Sequence, residues 1–271
     1  MYLSSAQIKM EEISILNKIV DVCKSYKLRY YLAYGTLLGA VRHSGFIPWD
    51  DDIDIFMPYC DFLKLEEIFR NDSDYGFQSY FTDSNYCSDY GKVFSKKIII
   101  KEDNVIVPTK GLFVDVFPLF PFGCEKIEAE KVFKKAGKIK KFFSFSNVKY
   151  SKINSFHSIL KNIFLFINRF RFFVLGKRRI MKKFFSIFNN ISYENSKYVG
   201  YLSGYRKFSK TKSFFSKELF ENTSKYIFEN AVYDSIADYD YFLSNYYYNY
   251  MELPPDSERK SHSIIAEYLK L

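Results

Sequence analysis

Four carboxylates fall within five residues, at Asp50, Asp51, Asp52 and Asp54, and a Gly35-Thr36 pair stands upstream of them. Like charges about 6 Å apart repel by roughly 2–3 kcal/mol even at an effective dielectric near 20. A folded chain gathers such charges only where water, basic neighbours or a divalent cation offsets the repulsion. An apolar frame follows at once, in Ile53, Ile55, Phe56 and Met57. The acidic run therefore leads into a buried strand, which favours the cation. Residues two apart on a strand share a face. The spacing sets Asp52 and Asp54 side by side, able to bridge a pair of magnesium ions, with manganese as the alternative. Mg²⁺ takes oxygen ligands, commonly one or two carboxylates with substrate phosphates.

Asp115 is the third candidate ligand. It stands alone in the apolar run Leu112-Phe113-Val114-Asp115-Val116-Phe117, and a buried charge needs a partner or a metal. The simplest partner is the same metal site, reached if the two strands are neighbours. The Gly35-Thr36 pair supplies the other half. A glycine between a strand and a helix lets backbone approach a phosphate, and a helix start favours anions. Arg42, with its forked guanidinium, and Lys92 are further phosphate candidates. Plainer readings stand beside these. Asp50 and Asp51 also suit a solvated turn, although Asp51 is carried as a substrate-binding candidate, and Lys92 equally suits a strand surface. A calcium loop at Asp50-Asp52-Asp54 fails, because Ile55 and Asp61 occupy the positions that need Gly and Glu.

The elements that must position these groups follow from periodicity. Residues 4–27 read as an amphipathic helix with a Ser4/Gln7 capping box. A short strand over 29–34, a helix over 36–43, a strand over 52–57 and a helix over 59–70 come next. Further strands are expected near 77–81, 92–100 and 112–117, after which Pro118, Pro121 and Gly123 punctuate the chain. This order gives an α/β or α+β domain. Beyond it, 125–190 carries helical spacing, and the remainder reads as helical and aromatic, ending in a short last helix.

The charge is uneven. Between residues 124 and 192 there are seventeen Lys or Arg against three Glu, a surplus of +14 in a chain whose net charge is +9, so the rest is −5. That asymmetry points to a polyanionic partner or an anionic membrane surface. The stretch 163–175, interrupted by Arg169 and Arg171, suits a membrane surface; solvated helix faces are the simpler reading. The four cysteines are widely spaced, with no metal-ligand pair and no disulfide framework. No signal-peptide pattern and no run of eighteen uncharged apolar residues is seen. A cytoplasmic protein, or one at the inner face of the membrane, is expected, with no nucleic-acid partner.

The run from Gly35 to Ile55, GTLLGAVRHSGFIPWDDDIDI, resembles the signature of the LicD family of phosphotransferases, which are related to the fukutin-type enzymes. Gly111-Leu112-Phe113-Val114-Asp115-Val116-Phe117-Pro118-Leu119 resembles the family's second block. Tyr250-Met251-Glu252-Leu253-Pro254-Pro255, with Arg259 and His262, resembles its C-terminal block. The resemblance implies a nucleotidyltransferase-like mixed sheet with flanking helices over 1–122, a basic helical and aromatic lobe over 123–235, and C-terminal helices over 236–271 returning to the active site. It implies transfer of a phosphorylated alcohol, such as phosphocholine, from a CDP-linked donor to a glycan of the lipopolysaccharide, capsule or teichoic-acid kind, with a lipid-linked acceptor as one form. Asp52, Asp54 and Asp115 match the metal carboxylates, and His43, Arg259 and His262 join the substrate-binding candidates. Tyr248-Asn249 and Phe120 depart from the pattern, which leaves the acceptor or alcohol pocket open and does not touch the three metal carboxylates. Two rival functions remain open: a metal-dependent glycosyltransferase using Asp52-Ile53-Asp54, and a non-catalytic basic protein that binds a polyanion or a membrane.

Overall fold

The computed structural model describes residues 2–102, 105–202, 213–259 and 264–269. Helix α1 (Ser5–Tyr26) opens on the expected capping box: Gln7 N–H donates to the Ser4 hydroxyl, and the Gln7 side chain accepts from Ser4 N–H. Then come β1 (Tyr31–Leu32), α2 (Tyr34–His43), β2 (Asp54–Pro58), α3 (Tyr59–Arg70), β3 (Tyr75–Gln78), β4 (Gly91–Ser95), β5 (Ile98–Lys101) and β6 (Phe113–Gly123). The basic segment forms α4 (Lys126–Phe143), α5 (Phe156–Val174) and α6 (Lys177–Phe185). After it come β7 (Tyr198–Gly200), β8 (Phe214–Ser216), α7 (Glu218–Glu221), β9 (Thr223–Phe228), β10 (Ala231–Ile236), α8 (Tyr239–Tyr247) and β11 (Ile265–Tyr268).

The main sheet runs β1-β2-β6-β4-β3, with β7 and β8 added beyond the far half of β6. Among the described strands only β2 and β6 are parallel; the other pairs of this sheet are antiparallel. Helices α1, α3 and α4 pack on β6, and Ile53, Ile55, Met57, Val114 and Val116 are all buried between the layers. This is the mixed α/β architecture with flanking helices that the sequence implied. Among the described residues no helix is long and apolar enough to cross a membrane.

Three elements differ from the sequence reading. Strand β6 continues through Pro118 and Pro121 to Gly123 instead of stopping. Asp115 N–H donates to Ile53 O, toward β2 (2.9 Å). Successive amides alternate sides, so Pro118 faces the β4 side, where pairing has ended at Val116 and β7 has not begun. Pro121 faces the β2 side, beyond the last pair, Pro58 with Leu119. Neither proline removes a ladder bond, which is the condition for proline in a strand. The stretch after residue 190, expected to be helical, holds β7, β8, β9 and β10, and the chain's last described element is β11, a strand paired with β5 rather than a helix.

The β9–β10 hairpin reaches back to the turn after α2. Glu229, at φ 53°, accepts from Phe46 N–H through Oε1 (2.9 Å) and donates its own N–H to Ser44 O (2.8 Å). Inside that turn Gly39 touches the backbone: a Cβ there would lie 2.4 Å from Gly45 O. A carbonyl fixed by its own turn cannot swing aside. Gly39→Ala is therefore expected to cost about 2–3 kcal/mol of stability, read as a lowered urea midpoint with an unchanged slope; an unaltered midpoint would show that the turn is not rigid.

Candidate active site

Strand register brings the acidic groups together. Asp54 on β2 pairs with Asp115 on β6, and Asp115 pairs with Lys92 on β4. Residues opposite one another in adjacent strands project to one face, so Asp54, Asp115 and Lys92 form one row across three strands. Lys92 Nζ lies 2.8 Å from Asp115 Oδ1, and both side chains are largely buried. The ammonium also sits 3.2 Å from the centre of the Phe113 ring. Burial works against the Lys92 charge, but Asp115 outweighs it and holds the amine above its ordinary value.

The first strand residue is Asp54, not Asp52. Asp52 lies in the segment leading in, so the two carboxylates do not share a strand face; they share a cavity. Asp54 is fixed by α2: its N–H donates to Thr36 Oγ1 (2.8 Å), and its carbonyl accepts from Ala33 N–H (3.0 Å). A cavity of about 390 Å³ is lined by Asp50, Asp52, Asp54 and Asp115 with Gly35. Tyr34, Phe117, Tyr246 and Tyr247 form its aromatic wall. At Gly35 a Cβ would meet Asp50 Oδ2 at 2.6 Å, so a larger residue there would make that carboxylate turn aside.

Tyr34 is a bulky residue held at φ 42°, in the left-handed region. Strain of this kind persists where surroundings over-determine it. Here four rings do so: Phe56, Phe117, Tyr201 and Tyr246 all lie within 5.2 Å of its centre. Tyr246 and Tyr247 come from α8, nearly two hundred residues away in sequence. Burial pushes their hydroxyls up, and for Tyr247 the charges of Asp54, Asp50 and Asp52 add to a contribution from Tyr246.

The other sequence candidates lie around this centre. Thr36 is buried and holds Asp54 rather than facing the cavity. Asp51 is buried and does not line it, whereas Asp50 does. Lys92 stands on Asp115. Arg42 Nη1 donates to Tyr250 O (2.6 Å) and Glu252 O (3.3 Å), which ties the C-terminal block to α2. His43 lies edge-on to Trp49 at 6.4 Å, and burial, then Arg42, lowers its pKa. Arg259 stacks over Trp49 at 4.9 Å and donates to Pro254 O. His262 lies outside the described residues. Asp50 as a cavity residue, the Lys92–Asp115 pair and the Tyr34 strain were not singled out from sequence; Tyr34 preceding Gly35-Thr36 was the available signal.

Among the described residues, no three His, Cys, Asp or Glu side chains meet at the spacing of a preformed metal centre; the carboxylates ring a cavity instead. The donor chemistry nevertheless fits a hard cation. Every donor is an oxygen, and the Asp54 carboxyl is pushed well up by burial and then by Asp52, Asp115 and Asp50. A bound divalent cation reverses the like-charge part of that penalty. A larger cavity, about 950 Å³, lies under α4 and α5 and is mostly aromatic and basic. Tyr90 on its wall stacks against Phe117 at 4.9 Å, so it adjoins the acidic one.

Residues 27–150 match the nucleotidyltransferase domain of the LicD/FKTN/FKRP family. The lipopolysaccharide cholinephosphotransferase LicD of Haemophilus influenzae is 28% identical over 265 residues, covering 95% of each chain. The ribitol 5-phosphate transferase FKRP of mouse and of human is 40% identical over 50 residues, 18% of this chain and 10% of the relative. The LicD and fukutin-type resemblance read from the sequence therefore holds.

Glu12 adds an unforeseen group. It is fully buried on α1, and neither carboxyl oxygen has a hydrogen-bond partner among the described residues. Burial, then Asp52 and Asp51, pushes its carboxyl well up. A raised folded value means stability is complete below the unfolded pKa of about 4.3 and declines as pH rises toward the folded one, at about 1.4 kcal/mol per unit. In EDTA, Glu12→Gln is expected to be about 1–3 kcal/mol more stable than wild type at pH 7, with the difference vanishing toward pH 4. An equal gain at both pH values in urea titrations would contradict this.

Proposed function

We propose that this chain, which carries a LicD-type nucleotidyltransferase domain, transfers a phosphorylated alcohol from a CDP-linked donor to a hydroxyl of a cell-surface glycan. The observation that carries the reading is the row Asp54–Asp115–Lys92, whose two carboxylates line a cavity with Asp50 and Asp52. The names of the relatives support the class: one is a cholinephosphotransferase, the other a ribitol 5-phosphate transferase.

Asp52, Asp54 and Asp115 would hold magnesium or manganese ions, which supply charge neutralisation for the donor diphosphate and polarise the phosphoryl group in a two-metal in-line displacement. Gly35, at the start of α2, would offer its backbone N–H to a phosphate oxygen. Asp115 would take the proton of the attacking hydroxyl, with Lys92, 2.8 Å from it, fixing its orientation. The new phosphorus–oxygen bond forms as the bond to CMP breaks, and CMP leaves. The wall of Tyr34, Tyr246, Tyr247 and Phe117 suits the trimethylammonium head of choline, which aromatic faces attract. The carboxylate ring at its foot adds to that attraction.

Asp54→Asn and Asp115→Asn are each expected to lower transfer by about a thousandfold or more while leaving the folded state intact. In EDTA Asp54→Asn should melt no lower than wild type, because it relieves like-charge repulsion, whereas Asp115→Asn also removes the ion-pair partner of buried Lys92 and should melt lower while remaining folded. Retained transfer in either would remove the assignment. Tyr246→Ala is expected to raise KM for CDP-choline about tenfold or more, with a smaller effect on CDP-ribitol or CDP-glycerol. An equal effect on all three donors would mean that the wall does not read the alcohol.

A further inference from the structure

The outer surface of α5 is apolar along its whole length. Phe156, Leu160, Ile163, Ile167, Phe170 and Val174 are each between 48% and 75% exposed. At about 100° per residue all six fall roughly opposite Leu165 and Phe172, the two apolar side chains that anchor the helix and are 1% exposed. A soluble helix ordinarily turns its apolar stripe inward and its polar face outward. Here the inward contact is narrow and the wide apolar face looks out, with no described element covering it. A band of this kind, about 28 Å long, marks an interaction surface.

Its surroundings say what covers it. From Lys131 to Tyr193 the chain carries sixteen Lys or Arg and no Asp or Glu. Lys152 and Lys161 flank the start of α5, and Arg171 lies near its end; all three are exposed. Helix α6 follows directly after Gly176 and turns Ile180, Met181, Phe184 and Phe185 into the core. Lys177, Arg178, Arg179, Lys182 and Lys183 are left in solvent. An apolar stripe bordered by cations alone matches a surface that is hydrocarbon inside and anionic at its rim. A nucleic acid would satisfy the cations and leave the stripe in water. The helix also carries Lys161, Arg169 and Arg171, so it lies along an interface rather than crossing one.

We propose that α5, with the basic face of α6, docks this protein in the plane of an anionic phospholipid bilayer. The stripe enters the headgroup–acyl boundary and the Lys and Arg side chains contact lipid phosphates. The docking is independent of the transfer chemistry, since none of these residues lines the acidic cavity.

The test is flotation of the purified full chain with phosphatidylcholine vesicles, with or without about 30 mol% phosphatidylglycerol. Binding to the anionic vesicles is expected to be tighter by about tenfold or more, and to weaken at roughly 0.5 M salt. The double variant Ile163→Glu/Phe170→Glu should lose it. Lys177→Ala/Arg178→Ala/Arg179→Ala should reduce it by about tenfold. Both variants should keep wild-type circular dichroism and melting temperature, and the first should keep full transfer to a water-soluble acceptor. That last readout separates a failure of docking from a failure of the proposed reaction. Equal binding to neutral vesicles, or anionic binding that survives the Glu variant, would overturn the proposal. So would a wild-type dimer in light scattering that the Glu variant dissociates, or tighter binding to RNA than to vesicles.

Discussion

Mutual repulsion among Asp50, Asp52, Asp54 and Asp115 is the constraint on which the rest of the site depends. All four line one small cavity, and the other three push the Asp54 carboxyl up on top of the cost of burial. Lys92, paired across the strand with Asp115, offsets part of this. Everything nearby serves to keep the carboxylates in place against that repulsion. Thr36 and Ala33 grip the backbone of Asp54 on both sides. Gly35 yields the space that Asp50 needs. Four aromatic rings hold Tyr34 in a backbone conformation that it would otherwise leave. Net self-repulsion maintained at a structural cost is a common mark of a site built for a charged ligand.

The supporting elements come from distant parts of the chain. The hairpin β9–β10 pins the turn after α2 through Glu229, Arg42 fastens the Tyr250 and Glu252 carbonyls, and α8 supplies Tyr246 and Tyr247. The C-terminal third thus closes the site that the N-terminal third begins. The basic helices α4, α5 and α6 add nothing to the acidic cavity's wall. They carry fifteen Lys or Arg against two Glu instead, and α5 keeps a wide apolar face outward. Separation of an acidic cavity from a basic apolar face is what divides the charge of the chain so unevenly.

Local pattern revealed the acidic run, the lone Asp115, the capping box and the helices on either side, because those signals sit within a few residues of one another. It placed Asp52 and Asp54 on one strand, which failed by two residues: the ladder begins at Asp54, since only there does β2 reach its parallel partner. The prolines of β6 read as a stop because a single chain does not show that Pro118 faces a gap between β4 and β7 and that Pro121 faces the side where β2 has already ended. Tyr- and Phe-rich stretches after residue 190 suit helix and strand alike; pairing with β6 decided for β7, and a local hairpin for β9 and β10. The Lys92–Asp115 pair and the buried Glu12 depend on register and burial, which no spacing within the sequence encodes.

The proposed shared cation site is tested most directly by titrating Mn²⁺ into the protein, followed by electron paramagnetic resonance, with and without a CDP-alcohol. Saturable binding strengthened by the nucleotide, with faster phosphorus relaxation of the bound diphosphate, is the predicted result, and both effects should be lost in the Asp54→Asn/Asp115→Asn double variant. Mn²⁺ binding of equal strength in that variant would contradict a site built on this row of carboxylates.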